Sequence, residues 1–141
     1  MVYKKTRRNY LLSTDRRKLN YAFISSSLQQ LYWASDLSKS EIKISIDHSR
    51  AYGIYHNNIQ IGFAKVLTDY SRFAYLSDVF ILEDYRGKGL GVFLLKGILA
   101  DPKLKGIKKW MLATRDAHGL YKKFGFTELK NPKAFMQMKK D

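Results

Sequence analysis

Six consecutive residues, Arg86-Gly87-Lys88-Gly89-Leu90-Gly91, alternate glycine with larger residues directly after the apolar run Val79-Phe80-Ile81-Leu82 and the acids Glu83 and Asp84. An apolar helical pattern begins at Leu90. A strand that feeds a turn of bare backbone amides at a helix amino end offers converging N–H donors to an anion, and above all to a pyrophosphate. Glycines at 87, 89 and 91 let a phosphate reach the backbone without a side chain in the way. The helix dipole adds its positive end, and Arg86 and Lys88 can add charge-assisted contacts. The turn is not a Walker loop, because no Gly-Lys-Ser/Thr closes it. It is not a dinucleotide fingerprint either, because the third glycine comes one residue early.

Other chemistry is narrowed by composition. The chain has no cysteine, which removes disulfides, thiolate metal ligands and a cysteine nucleophile, and fits a reducing cytoplasmic home. The histidines, His48, His56 and His118, lack the spacing of a zinc site, so no metal is expected. No apolar run approaches the roughly 20 residues of a membrane span, and no apolar core follows the first basic residues as a secretory signal would require.

The elements that must position the glycine turn are legible in outline. At 141 residues the chain reads as a single domain, 1–141, with no repeat or linker. Asn9 to Thr14 reads as a strand and Leu19 to Trp33 as a helix, with Ser25-Ser26-Ser27 a point of interruption. Ser38 to Arg50 is ambiguous: Ile42, Ile44 and Ile46 alternate as in a strand, but Ser38 and Glu41 make a capping box, and helix is preferred. Ala51–Tyr55 and Gln60–Thr68 are strands around the turn signal His56-Asn57-Asn58. Phe73–Leu82 is a third, and a helix covers Gly89 to Ala100. Lys109–Thr114 is a strand. Ala117–Phe124 is a short helix with Asp116 as N-cap and Gly125 as a left-handed stop. Phe126–Leu129 and Phe135–Met138 are expected to close the sheet. The order is β-α-α-β-β-β-α-β-α-β-β, an α/β (α+β) fold with a mixed, mostly antiparallel sheet flanked by helices.

A second motif follows Gly91 by thirty residues: Tyr121-Lys122-Lys123-Phe124-Gly125-Phe126, with Ala117 and Leu120 before it. Arg86, Gly89 and Gly91 together with Ala117, Leu120, Tyr121, Gly125 and Phe126 resemble the GCN5-related N-acetyltransferase (GNAT) family, the acyl-CoA N-acyltransferases. The resemblance is firm across residues 51–129 and loose before. It implies acetyl-CoA as co-substrate, with the pyrophosphate on Arg86, Gly87, Lys88, Gly89, Leu90 and Gly91. The pantetheine arm would then lie along the backbone of Val79, Phe80 and Ile81 like an added strand. It implies Tyr121 as the general acid that protonates the departing sulfur. Asp78 is the candidate general base; its other reading is a structural carboxylate, paired for example with Arg115. A carboxylate at the start of the fifth family strand is replaced here by Lys108-Lys109-Trp110. Thr114 stands where the family often has an asparagine that binds the cofactor arm, so it keeps a hydroxyl and loses an amide. His118 reads as a helix-surface residue.

The acceptor is less legible. Tyr32 and Trp33 are candidates for its binding site, since aromatic walls hold apolar or cationic groups, and a core-facing pair is the competing reading. Net charge is +14, from 26 basic and 12 acidic residues. Lys4, Lys5, Arg7, Arg8, Arg16, Arg17 and Lys18 fall in the first 18 positions. That excess disfavours a polycationic acceptor and favours a neutral or acidic small molecule, or a peptide amine, with Asp36 and Asp69 as local exceptions. It also leaves a second reading, a basic coenzyme A-binding or nucleic-acid-docking module, which has charge as its sole support and no RNA-binding signature. No membrane partner is expected, and the resemblance allows a homodimer.

Overall fold

A computed structural model of the chain describes residues 1–31 and 37–140. The first strand, β1 (Lys4–Arg7), has no apolar residue to announce it and is exposed throughout. It pairs antiparallel with β2 (Tyr10–Ser13) through the turn at Arg8 and Asn9. A charged, short edge strand of this kind resists further pairing, and it carries no alternation for a sequence reading to find.

Two helices follow. α1 (Tyr21–Leu31) runs through Ser25-Ser26-Ser27 without a break and buries Ile24, Ser25 and Leu28. α2 (Lys39–Asp47) starts at the N-cap that the Ser38/Glu41 pair signals: Ser38 Oγ accepts from Glu41 N at 3.0 Å and donates to Glu41 Oε1 at 3.1 Å. The isoleucine alternation resolves as helical spacing. Ile42 and Ile46, four apart, are buried, whereas Ile44 is 57% exposed.

β3 (Arg50–His56), β4 (Ile59–Thr68) and β5 (Phe73–Ile81) form an antiparallel meander that continues the hairpin. Asn57 and Asn58 both take positive φ, 50° and 68°, as a tight hairpin turn requires. The β4–β5 turn is tied by Asp69, whose Oδ1 accepts from the amides of Ser71, Arg72 and Phe73. These bonds hold its carboxyl below the usual carboxylate range. α3 (Leu90–Leu99) then crosses the sheet, and β6 (Lys109–Leu112) returns parallel to β5. The strand order is β1-β2-β3-β4-β5-β6 in one mixed sheet.

The sheet separates two apolar clusters. Leu12, Tyr52, Ile54 and Val66 meet Leu90, Leu94, Leu95 and Ile98 of α3 on one face. Ala51, Phe63 and Phe80 meet Ile24, Leu28, Ile42 and Ile46 of α1 and α2 on the other. The end of α3 is fastened to β3 by Asp101, which is fully buried. It accepts a fork from Arg50, at 2.8 Å from Nε and 3.2 Å from Nη2, and a 2.6 Å bond from Tyr52 OH.

The expected closing strands do not form. After α4 (His118–Lys122) and its stop at Gly125 (φ 94°), the described residues of the tail form only a short 3-10 turn at Pro132–Ala134. Phe135, Met136 and Met138 are exposed. Two four-residue stretches flanking Pro132 and two lysines, Lys130 and Lys133, bury too little to offset the entropy of ordering them. Asp116 is not the N-cap of α4. Ala117 holds that position, and Thr114 Oγ1 accepts its amide at 3.1 Å.

Candidate functional site

The glycine turn sits where β5 gives way to α3. Gly87 and Gly89 have φ of 77° and 75°, a region that a side chain makes costly. A Cβ on Gly87 would meet nothing within 4 Å, so the turn is open on that side. Gly91 is needed for a different reason, since a Cβ there would press on Leu120 Cδ2 at 3.3 Å. Phe93 N donates to Gly89 O, the first helical bond, which leaves the amides of Leu90, Gly91 and Val92 without a helical acceptor, as at every helix start. Arg86 braces the turn by donating from Nε to Ile81 O at 3.2 Å.

The turn opens into a cleft of about 540 Å³. Its origin lies in the sheet. β5 and β6 are paired only from Phe73–Lys109 to Leu76–Leu112, and beyond Leu76 they part. Val79, Phe80 and Ile81 form one wall, the glycine turn the end, and Ala117, Leu120 and Tyr121 of the α4 region the other wall. Phe80 serves both readings. Its ring packs at 6.3 Å from Phe63 and 5.7 Å from Phe23 in the core, while its strand segment borders the cleft.

β5 also carries an irregularity. Phe63 pairs with Phe80 and Lys65 with Ser77, so β5 has one extra residue across this stretch. Asp78 lies in that bulge with φ 55°. Its Oδ2 is 2.9 Å from Lys65 Nζ, and Lys65, largely buried, also donates to Ser45 Oγ on α2. Asp78 therefore stands on the α1–α2 side of the sheet and does not line the cleft that carries Tyr121.

Tyr121 is 8% exposed and packs edge-on against Phe126 at 5.9 Å. Burial pushes its phenol pKa up, so the hydroxyl is a proton donor at neutral pH. Thr114, His118 and Tyr121 also line a neighbouring cavity of about 440 Å³ between β6, α4 and the tail. The Thr114 hydroxyl is engaged at the start of α4. Lys88 is exposed at the turn. Tyr32 and Trp33 lie outside the described residues. Sequence reading misses two charged partners, Arg7 against the outside of the glycine turn and Lys65 against Asp78, because neither belongs to a motif and both act across a large sequence separation.

Known proteins share the sequence pattern and the fold. Residues 14–126 match the model of the acetyltransferase (GNAT) family. A solved GNAT-family structure from Xanthomonas campestris pv. campestris is 39% identical and covers 92% of each chain, with a TM-score of 0.87. The Gibberella zeae protein FG08082, assigned as an acetyltransferase, is 28% identical over 141 residues, covering 84% of this chain and 78% of its own length. An assigned acetyltransferase from Clostridium acetobutylicum, solved with acetyl-CoA, shares the fold at a TM-score of 0.64 and 16% identity, covering 99% of this chain and 96% of its own.

Proposed function

Since the chain belongs to the acetyltransferase (GNAT) family, we propose that it is an acetyl-CoA-dependent N-acetyltransferase acting on a primary amine of a small molecule or peptide in the cytoplasm. One observation carries the reading: the open turn of Gly87, Gly89 and Gly91 and the buried Tyr121 border the same cleft, between two strands that part beside it.

Two features support the fit to coenzyme A. The positive-φ glycines keep side chains out of the turn at the head of α3, where the first helical amides have no helical acceptor, a donor set suited to a pyrophosphate. The β6-facing side of Val79–Ile81 has no ladder partner among the described residues, a backbone edge suited to the amides of a pantetheine arm. Acetyl-CoA, when bound, supplies an activated thioester carbonyl. Backbone donors near Phe80 would polarise that carbonyl. Tyr121, kept protonated by burial, would deliver its proton to the departing sulfur. Asp78, paired with Lys65 on the α1–α2 side, would be met by an amine arriving from that side and would take its proton. The net charge of +14 favours a neutral or acidic acceptor over a polyamine.

The test is a panel of amines screened by thiol release from acetyl-CoA, with calorimetry of coenzyme A on the same preparation. Binding of coenzyme A together with turnover of at least one amine is the expected result. No heat at millimolar ligand sinks the reading.

A further inference from the structure

Gly87 and Gly89 give the turn its shape and also its freedom. Glycines at positive φ have wide alternatives in an unliganded chain, and ordering them on binding weakens affinity. Something outside the turn must therefore hold it if its amides are to point at a ligand beforehand.

Arg7, the last residue of β1, does so from the outer side. Its Nη2 donates to Lys88 O at 2.8 Å, and its Nη1 to Gly89 O at 3.4 Å. Its guanidinium lies 5.7 Å from the ring centroid of Phe93, one turn along α3. In a planar trans peptide the carbonyl of one residue and the N–H of the next point in opposite directions. The described residues contain no cis peptide bond. Holding Lys88 O therefore fixes the N–H of Gly89, aimed away from Arg7, while the longer bond to Gly89 O only adds to the helical bond that Phe93 N already makes to that oxygen. Gly89 and Leu90 border the cleft.

The hairpin that carries Arg7 is itself anchored beside the turn. Arg7 pairs with Tyr10 across β1 and β2. The Tyr10 ring stacks on His56 with centroids 4.7 Å apart, and His56 Nδ1 is 3.1 Å from the hydroxyl of Tyr85, the residue before Arg86. The same hairpin thus touches both feet of the turn.

We propose that Arg7 is a positioning residue for pyrophosphate binding: it preorganises the Gly89 amide through the Lys88 carbonyl, and braces the first turn of α3 at Gly89 O, without touching the ligand. The proposal rests on the coenzyme A reading above. Arginine suits the place because its rigid planar fork presents two fixed donors to neighbouring carbonyls and a flat face to Phe93, whereas a lysine ammonium is a point charge on a flexible stem.

The experiment is calorimetry of the full chain with coenzyme A and with 3′-dephospho-coenzyme A, for wild type, Arg7→Ala, Arg7→Lys and Arg8→Ala, alongside thermal melts. Arg7 is exposed, so its variants should melt within a few degrees of wild type. Arg7→Ala is expected to weaken both ligands by the same factor, about tenfold, the size of losing a charge-assisted bond. Arg7→Lys should recover less than half of that loss on a logarithmic scale. Arg8→Ala removes the same charge one residue away and should leave affinity within about twofold. A loss confined to coenzyme A would mean direct contact with the 3′-phosphate and overturns the proposal. So does an equal loss in Arg8→Ala, which would make the effect one of charge alone, or no loss in Arg7→Ala. Wild type that binds neither ligand overturns the coenzyme A reading itself, a result distinct from all of these.

Discussion

In the proposed reaction Tyr121 would give a proton rather than take one. Burial raises its pKa above the ordinary tyrosine value, so the phenol stays protonated through the whole neutral range. Tyr121→Phe removes the O–H and keeps the ring that packs on Phe126. Thioester turnover is expected to fall about 100-fold or more, the usual worth of a positioned acid, with coenzyme A affinity nearly unchanged. Turnover and calorimetry on one preparation check this. Unchanged turnover would leave Tyr121 as packing only. The sign of the pH effect follows from the same shift: loss of the Tyr121 proton can lower the rate only above about pH 10. Tyr121 and the glycines are legible in the sequence because the chemistry proposed for them restricts both residue type and spacing. Arg7 and Lys65 are not, since a cation whose partners lie on other elements leaves no pattern in the sequence around it.

The glycine turn makes its own demand at the scale of the element. Gly89→Ala would place a Cβ at φ 75°, about 1 kcal/mol or more above its preferred region, and within 3.4 Å of the Arg7 guanidinium. Thermal melting should register a small loss of stability. Calorimetry should register a larger loss of coenzyme A affinity, because relaxing the strain turns the amides away from the cleft. Equal affinity in the variant would mean that the turn does not bind through these amides. The elements that frame this turn, β5 and α3, are plain in the sequence because burial on one or both faces imposes their periodicity. β1 is hidden because an edge strand with every side chain in solvent has no periodicity to show. Phe126–Leu129 and Phe135–Met138 mislead for the opposite reason: apolar residues alone do not make a strand when little burial follows, and of these only Phe126 packs on the core while Leu129, Phe135, Met136 and Met138 are exposed. The bulge at Asp78 is a property of pairing between two strands, so a single strand's sequence cannot reveal it.

Across the whole molecule, charge and buried phenols pull stability in opposite directions at high pH. Tyr3, Tyr52, Tyr55 and Tyr121 all have pKa values raised by burial. A group raised in the folded state contributes stability that is whole below its unfolded value and is lost as pH climbs toward the folded one, because the unfolded chain releases the proton first. Lysines also begin to lose their charge near pH 10, which relieves the self-repulsion of a chain with net charge +14. At about 0.15 M salt that repulsion is screened beyond about 8 Å, and the basic residues are spread over the surface, so the buried phenols should win. Melting temperature is therefore expected to fall steadily between about pH 9 and pH 11 in such a buffer. Tyr55→Phe isolates the cause, since it removes one deeply buried phenol remote from the cleft and leaves the net charge at neutral pH untouched. Its alkaline loss should be shallower than that of wild type. A melting temperature that rises over this interval would mean that surface repulsion, not burial of the tyrosines, governs the alkaline limb.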